Sequence, residues 1–238
     1  MDEQTVYGMK AVLALLEKRP EAVLRLFYRS DRMERLKGML AWLAARRLPY
    51  RELDEEGLRK AAGGPHHEGV VAVAQPLRYA PTPSQGLPAG AWLALDGLDN
   101  PHNVGAILRS AAFFGAVGVI VGGAQPEEKV NAAVLRVSEG GAEHLRLCGE
   151  PELARTIGRL ASYLPVLGLE TDSRRPLRDA PSAPTFVLVV GNEQTGLSPD
   201  VRRACSALYG IPGSGLVGSL NVSVATGVAL ALLMQRQH

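Results

Sequence analysis

The first 75 residues carry two kinds of hydrophobic pattern. Val6, Met9, Val12, Leu13 and Leu16 recur at the spacing of a helix, which predicts a helix at the start of the chain. Short, nearly continuous apolar runs predict strands. We expect strands at 22–28, 48–53 and 69–75, a helix capped by Asp31 with Met33, Leu36, Met39, Leu40 and Leu43 on its inner face, and a short helix over 54–62. Together these elements predict a small α/β unit.

From residue 91 the pattern restarts and becomes more regular. Apolar runs predict strands at 92–96, 117–122, 144–148, 164–169, 185–191 and 207–211. The segments between them predict helices over 103–115, 129–138, 151–162, 199–205 and 219–236. Strands that are apolar throughout and alternate with helices indicate a parallel sheet covered by helices on both faces.

The segment 76–90 separates these two parts. It contains Pro76, Pro81, Pro83 and Pro88 and has no hydrophobic period, which is typical of a linker. A long surface loop within a single domain is the alternative. The predicted organisation is a small α/β domain over 1–75, a linker over 76–90 and a larger α/β domain over 91–238.

Composition and charge narrow the class of protein. With 46% hydrophobic and 21% charged residues, the chain has the composition of a soluble globular protein. The N-terminal decapeptide has no secretory pattern, and the apolar stretch 220–234 is interrupted by polar residues and short for a bilayer. Cys148 and Cys205 lie far apart, which favours a reduced, cytoplasmic protein and predicts no metal site.

Net charge gives little indication of a nucleic-acid partner. Residues 1–75 hold 13 Lys and Arg against 11 Asp and Glu, and the formal net charge of the whole chain is +2. Any RNA binding would therefore depend on local patches. Candidates are Arg29, Arg32, Arg35, Arg46 and Arg47 and the pair Arg174 and Arg175, and solvated surface charges are the alternative interpretation. His66 and His67 are interpreted as structural or surface residues.

Candidate chemistry lies where parallel strands end, because open α/β sheets bind ligands at the carboxyl ends of their strands. Polar loops follow the strands at 92–96 and 185–191. The turn at 96–103 lacks the glycine fingerprint of nicotinamide-binding folds, which argues against such an enzyme. Glycines instead gather at 213–218, just before the polar residues Ser219, Asn221 and Ser223 at the start of the last predicted helix.

Three motifs in the second half together resemble one family. They are Asn103-Val-Gly-Ala-Ile-Leu-Arg109, Gly191-Asn-Glu-Gln-Thr-Gly-Leu197, and the run from Ile211-Pro212 to Ser219-Leu-Asn-Val-Ser-Val-Ala225. The pattern is similar to the SpoU/TrmH family of RNA ribose 2′-O-methyltransferases in the SPOUT superfamily. The resemblance covers essentially the whole second half. One departure is Gly213, which stands where the third motif usually has methionine.

The resemblance carries expectations about fold and partners. It implies a trefoil-knotted parallel-sheet (α/β knot) domain, with S-adenosylmethionine (AdoMet) as methyl donor, RNA as substrate and a homodimer whose interface includes the knot. The stretches 6–23 and 66–73 resemble, more weakly, the small RNA-binding domain that some members carry in front. Ribosomal and transfer RNA both remain open as substrates.

The resemblance also implies roles for individual residues. Arg109 would be the catalytic arginine, although a guanidinium rarely gives up its proton, so positioning of the hydroxyl and direct base catalysis both remain open. The supporting hydrogen bonds would come from Asn103, Glu193, Ser219 and Asn221. The cofactor would be held by Gly191, Asn192, Glu193, Gly196, Ile211, Leu220 and Asn221.

Plainer interpretations and rival functions accompany these expectations. Asn103, Ser219 and Asn221 could cap helices, and Glu193 could bond a neighbouring loop. A non-catalytic RNA-binding protein that keeps the fold is the main alternative. A nicotinamide-dependent enzyme on an ordinary Rossmann sheet is the second.

Overall fold

The computed structural model describes residues 2–235 and contains two β-sheets. The smaller sheet has strands β1 (Gln4–Tyr7), β2 (Val23–Tyr28), β3 (Tyr50–Glu52) and β4 (Val70–Ala74), in the order β1-β4-β2-β3. Its helices are α1 (Met9–Lys18), α2 (Met33–Ala45) and α3 (Glu55–Ala62). β4 is antiparallel to both β1 and β2, while β2 and β3 are parallel.

The beginning of this unit differs from its sequence prediction. Val6 lies in β1, paired with Ala72, and the helix begins only at Met9. Gly8, at φ 94°, turns the chain between strand and helix. The prediction of a helix at Val6 was wrong. The spacing from Val6 to Met9 fits a helix, but Val6 is buried together with Gln4 on one face of the edge strand β1, which is the two-residue period of a strand.

The other elements of the small sheet follow the predictions, with one change in capping. α2 is preceded by a 3₁₀ turn, and Asp31 does not cap it, because its carboxylate accepts hydrogen bonds from Arg29 Nε and Nη2 at 2.7 and 3.0 Å. α3 has Asp54 as its cap, accepting from the backbone N–H of Gly57 at 2.8 Å. It ends at Gly63 in the left-handed conformation.

The larger sheet is parallel throughout and contains all six strands predicted after residue 91. Its strands are β5 (Ala80–Pro81), β6 (Ala91–Asp96), β7 (Gly118–Gly122), β8 (Arg146–Glu150), β9 (Val166–Leu169), β10 (Phe186–Gly191) and β11 (Ala207–Tyr209). The order is β11-β9-β10-β6-β7-β8-β5. The helices are α4 (Pro101–Phe113), α5 (Ala132–Val137), α6 (Gly141–His144), α7 (Leu153–Ala161), α8 (Pro199–Ala204) and α9 (Val222–Met234).

The strand order places a topological switch point between β6 and β10. From β6 the chain runs outward through β7 and β8, and it then crosses to β9, β10 and β11 on the other side. Gly191 at the end of β10 pairs with Asp96 at the end of β6. Loops that leave adjacent strands in opposite directions open a crevice, so the motif loops after 96 and 191 flank the expected ligand site.

The segment 76–90 is packed against its surroundings. Ala80 and Pro81 form β5, which pairs with β8 at the edge of the large sheet. Tyr79 is buried, and its backbone exchanges hydrogen bonds with Glu127 and Glu128. The short proline-containing strand was missed because two residues show no hydrophobic period.

Helix α1 of the smaller unit lies against α6 of the larger one. Arg19 Nε and Nη2 donate to Glu143 Oε2 and Oε1 at 2.7 and 2.8 Å, and the Glu143 side chain is only 3% exposed. Gln4 Nε2 donates to the carbonyl of Val130 at 2.5 Å. A buried bidentate ion pair fixes both the distance and the orientation of the two elements.

The last helix begins later than predicted. α9 starts at Val222 with Asn221 as its cap, so Ser219 and Leu220 lie in the preceding loop. The helix starts here because Asn221 Oδ1 accepts a hydrogen bond from the N–H of Ser223 and so caps the first turn. The predicted end at residue 236 falls outside the described residues. Among residues 2–235, none of the helices has the length and hydrophobicity needed to cross a membrane.

Candidate active site

A polar cleft opens at the switch point between β6 and β10. Its volume is about 370 Å³, and its lining consists of carboxylate and amide side chains. The lining residues are Asp99, Asn100, Asn103, Asn192, Glu193 and Gln194. Side chains of these types offer a ligand hydrogen-bond donors, hydrogen-bond acceptors and negative charge.

The first motif lies at the start of α4. Asn100, not Asn103, caps this helix, because Asn100 Oδ1 accepts from the backbone N–H of His102 at 3.0 Å. Pro101 at the first helical position needs no hydrogen-bond partner for its nitrogen. The side chain of Asn103 is therefore free for the cleft.

The second motif forms a tight loop after β10. Asn192 and Gly196 exchange backbone hydrogen bonds of 3.0 and 2.9 Å. Asn192 Oδ1 accepts from the N–H of Gln194, and its Nδ2 donates to the carbonyl of Gly97 at 2.8 Å. A Cβ on Gly191 would lie 2.3 Å from the carbonyl carbon of Gly196, so the loop requires glycine at its base. The side chain of Asn192 thus holds this loop to the turn after β6.

The third motif reaches the first through Asn221. Its Oδ1 caps α9, accepting from the N–H and hydroxyl of Ser223 at 2.9 and 2.6 Å. Its Nδ2 donates to Asn103 Oδ1 at 3.2 Å, and Asn103 Nδ2 donates in turn to Glu193 Oε1. The three motifs are thereby joined by one chain of side-chain hydrogen bonds, which we call the Asn103 network (Asn103, Glu193 and Asn221).

Other predicted site residues lie outside this network. Ser219 is exposed and makes no hydrogen bond within residues 2–235. Ile211 and Leu220 stand at the two ends of the glycine-rich loop, and Leu220 is 47% exposed. No backbone–backbone hydrogen bond ties residues 212–220 to the rest of the described chain, and all nine residues are exposed.

Arg109 lies about two turns beyond Asn103 along α4. Its side chain is 55% exposed, and Nη1 donates to Glu139 Oε1 at 2.8 Å. Within the described residues, no hydrogen bond or ion pair connects Arg109 with the Asn103 network. The hydrogen bond from Lys10 lowers the pKa of the Glu139 carboxyl, and Arg109 contributes in the same direction, so this carboxylate stays ionised at neutral pH.

Glu139, the partner of Arg109, is not among the site residues predicted from the sequence. It occupies the left-handed region at φ 46°, in the loop between α5 and α6. The only sequence signal is the run Ser-Glu-Gly-Gly at 138–141, which marks a helix end and gives no indication of a partner on α4.

Three of the remaining charged candidates contact residues away from the cleft. The buried His67 accepts the N–H of Gly69 on Nδ1 at 3.1 Å and has Glu55 beside Nε2. Arg29 is paired with Asp31 and Glu55, and Arg46 stacks on Trp42 at 4.2 Å. Among residues 2–235 there is no cluster of three or more His, Cys, Asp or Glu side chains with metal-binding geometry.

Two known family models match different segments of this chain. The model of the SpoU rRNA Methylase family matches residues 90–231. The model described as RNA 2′-O ribose methyltransferase substrate binding matches residues 5–80.

Individual relatives match over almost the whole chain. The 23S rRNA (guanosine-2′-O-)-methyltransferase RlmB of Pseudomonas aeruginosa is 37% identical over 247 residues, covering 98% of this chain and 97% of the relative. YfiF of Escherichia coli O157:H7, described as an uncharacterized tRNA/rRNA methyltransferase, is also 37% identical, covering 96% of this chain and 67% of the relative.

A solved structure shares the fold. The AdoMet-bound rRNA methyltransferase of Sinorhizobium meliloti superimposes with a TM-score of 0.78 at 24% identity, covering 99% of this chain and 88% of the other. The α/β architecture, with a parallel-sheet core and a preceding small unit, is therefore confirmed.

Proposed function

This chain belongs to the SpoU rRNA Methylase family, and from that premise we propose that it methylates a ribose 2′-hydroxyl of ribosomal RNA with AdoMet as donor. The observation that carries the proposal is the Asn103 network, which joins all three motifs at the switch-point cleft. The full-length similarity to 23S rRNA methyltransferases supports ribosomal over transfer RNA. Ribosomal RNA also agrees with the cytoplasmic location predicted from the cysteines.

We assign the cofactor to the loops of the second and third motifs. The backbones of Gly191, Ile211 and Leu220 would hold the adenosine end, with Asn192, Glu193, Gly196 and Asn221 around it. The fit rests on two features: the glycine-rich loop 212–220 is exposed and makes no backbone–backbone hydrogen bond with the rest of the described chain, and the adjoining cleft is lined by polar and charged residues. When bound, AdoMet supplies a methyl group on a positively charged sulfur.

The residues of this chain position the ribose hydroxyl and stabilise the negative charge that develops on its oxygen. An in-line displacement requires the hydroxyl oxygen to face the methyl carbon, so positioning supplies much of the rate enhancement. The proton of the hydroxyl passes to solvent water. Because a guanidinium is a poor base, we assign Arg109 a positioning role. It therefore orients the hydroxyl and a neighbouring phosphate and stabilises the developing alkoxide, while Asn103 and Glu193 keep the cleft in shape.

The division of labour between the two units is part of the proposal. Residues 1–75 would bind the RNA, 76–90 would join the units, and 91–238 would carry the catalytic site. The matched substrate-binding model supports the first assignment. The trefoil knot in the last segment remains a prediction from the family.

We also propose a homodimer. Large apolar side chains are exposed on the glycine-rich loop and on α9, a distribution expected for a surface that another chain covers. They are Leu216, Val217, Leu220, Val224 and Val228. Sedimentation at micromolar concentration tests this, because a mass of 25.4 kDa would contradict it.

The decisive experiment measures ribose methylation on RNA. Ribosomal and transfer RNA from cells lacking the protein are incubated with the purified chain and labelled AdoMet, and the modified nucleotide is mapped by its resistance to alkaline cleavage. Label in ribosomal RNA at a ribose is expected. AdoMet binding by calorimetry separates the rivals, because a non-catalytic RNA-binding protein would bind RNA without binding the donor.

A further inference from the structure

Glu139 forms a bridge between the small unit and Arg109. Its Oε1 accepts from Arg109 Nη1 at 2.8 Å, and its Oε2 pairs with Lys10 Nζ at 2.5 Å. Lys10 lies on α1, in the part of the chain matched by the substrate-binding model, while Arg109 lies on α4. One carboxylate thus contacts a lysine of one unit and the arginine of the other.

The backbone around Glu139 is held from both sides. A Cβ on Gly140 would lie 2.7 Å from the Cβ of Ala14, and a Cβ on Gly141 would lie 3.0 Å from the Cα of Arg109. The buried hydroxyl of Ser138 donates to the carbonyl of Leu135. The loop therefore sits in close contact between α1 and α4, and Glu139 has little freedom to move away from Arg109.

We propose that Glu139 is a positioning residue for Arg109. Lys10 fixes the orientation of the Glu139 carboxylate, so the packing of α1 against α6 aligns the arginine for methyl transfer. This inference rests on the proposed function of Arg109. The bidentate pair between Arg19 and Glu143 is the anchor that keeps α1 in place.

The expected effect is on turnover and not on folding. Lys10 and Arg109 are 62% and 55% exposed, and ion pairs with exposed partners contribute little to stability. A free guanidinium, however, samples many rotamers, and a misplaced catalytic group costs much of the rate. Small changes in stability combined with a large change in turnover are therefore the signature of this role.

Single-turnover methylation at saturating RNA and AdoMet tests the proposal. Glu139→Ala should slow methyl transfer roughly tenfold or more, and Lys10→Met should slow it several-fold. The control is Lys18→Met, which removes the same charge from the same helix. Among residues 2–235, the ion pair of Lys18 is with Glu17 and not with Glu139. Because Lys10 acts through Glu139, the double variant should be no slower than Glu139→Ala.

Two results would overturn the proposal. One is additive effects of the two substitutions, and the other is a Lys10→Met variant whose only defect is weaker RNA binding. A second readout needs no activity: the ¹⁵Nε resonance of Arg109, assigned by its loss in Arg109→Lys, should become more mobile in Lys10→Met and stay unchanged in Lys18→Met. Absence of methyl transfer by the wild-type chain would instead refute the proposed function.

Discussion

Asn221 Nδ2 donates a hydrogen bond to Asn103 Oδ1 across 118 positions of sequence, at 3.2 Å. The same Asn221 side chain caps α9 through its oxygen. One amide thus begins the last helix and ties it to the first motif. This double use gives a physical reason for an asparagine at position 221, where the last apolar helix begins.

The two roles of Asn221 can be separated by substitution. Asn221→Ala should lower the free energy of unfolding by about 1 kcal/mol and also reduce methyl transfer. Asn221→Ser keeps an oxygen for the cap but loses the amide donor, so it should retain stability while remaining low in turnover. Urea unfolding and initial rates measure both properties.

The matched control is Asn131, which caps α5 in the same way by accepting from the N–H of Ala133 at 2.8 Å. Asn131→Ala should lose a similar stability and keep wild-type turnover. Full turnover in Asn221→Ser would show that the bond to Asn103 has no part in the reaction.

Arg109→Ala should strongly reduce turnover while leaving AdoMet binding intact. Because Arg109 is separated from the motif loops that we assign to the cofactor, the AdoMet dissociation constant by calorimetry should stay unchanged. Methyl transfer should fall by about 10²–10³, the usual cost of a group that stabilises developing negative charge. Arg109→Lys should recover little, because an ammonium lacks the planar fork. Equal loss of binding and turnover would contradict this role.

Gly191 and Gly213 should respond in opposite ways to alanine. A methyl at Gly191 would lie 2.3 Å from Gly196, whereas nothing lies within 4 Å of a Cβ on Gly213. Gly191→Ala should therefore destabilise the protein by about 1–3 kcal/mol and weaken AdoMet binding. Gly213→Ala should change stability by less than about 0.5 kcal/mol. Thermal unfolding with and without AdoMet measures both, and a tolerated Gly191→Ala would be the contrary result.

Arg19 should matter more to stability than its partner Glu143. Removing Arg19 leaves a carboxylate that is 3% exposed without its counter-charge, which costs about 3 kcal/mol or more. Glu143→Gln leaves Arg19, 21% exposed, with the carbonyl of Gln75 at 3.2 Å, so its cost should be smaller. Urea unfolding of Arg19→Met, Glu143→Gln and the double variant tests this order, and equal losses would contradict it.

Periodicity and apolar runs predicted most of the fold. The strands of the large sheet are continuous apolar runs, and β10, predicted over 185–191, spans Phe186–Gly191. β1 was mistaken for helix because Val6 fits both periods, and only its pairing with Ala72 selects the strand. β5 depends on β8 for its existence, a partner that local pattern cannot reveal.

The sequence indicated several residues of the candidate site, but it did not predict which hydrogen bonds join them. Sequence indicated Asn103, Glu193 and Asn221 as neighbours through the family motifs, and the structure brings them together. The sequence analysis offered Asn103 as a possible cap of α4, but Asn100, another good capping residue close by, takes that position. The pair between Arg109 and Glu139 arises from packing of a loop against a helix 30 residues earlier, so no local signal encodes it.

The two cysteines should be unreactive at neutral pH. Burial raises the pKa of Cys148 to about 11 and that of Cys205 to about 12, against 9.0 for a free thiol. Only the thiolate reacts, so at pH 8 alkylation of Cys148 should be about 100-fold slower in the native protein than in urea. The native rate should rise about tenfold per pH unit up to about 11.

The same shift has a consequence for stability. Between about pH 9 and 11 the unfolded Cys148 thiol ionises while the folded one stays protonated, so the unfolded state holds fewer protons and stability falls as pH rises through this window. Cys148→Val should therefore lose less stability than wild type between pH 8.5 and about 10.5 in urea unfolding. Two results would contradict burial of the thiol. One is a free energy of unfolding that falls equally with pH in both proteins, and the other is an equal alkylation rate in the native and unfolded chains.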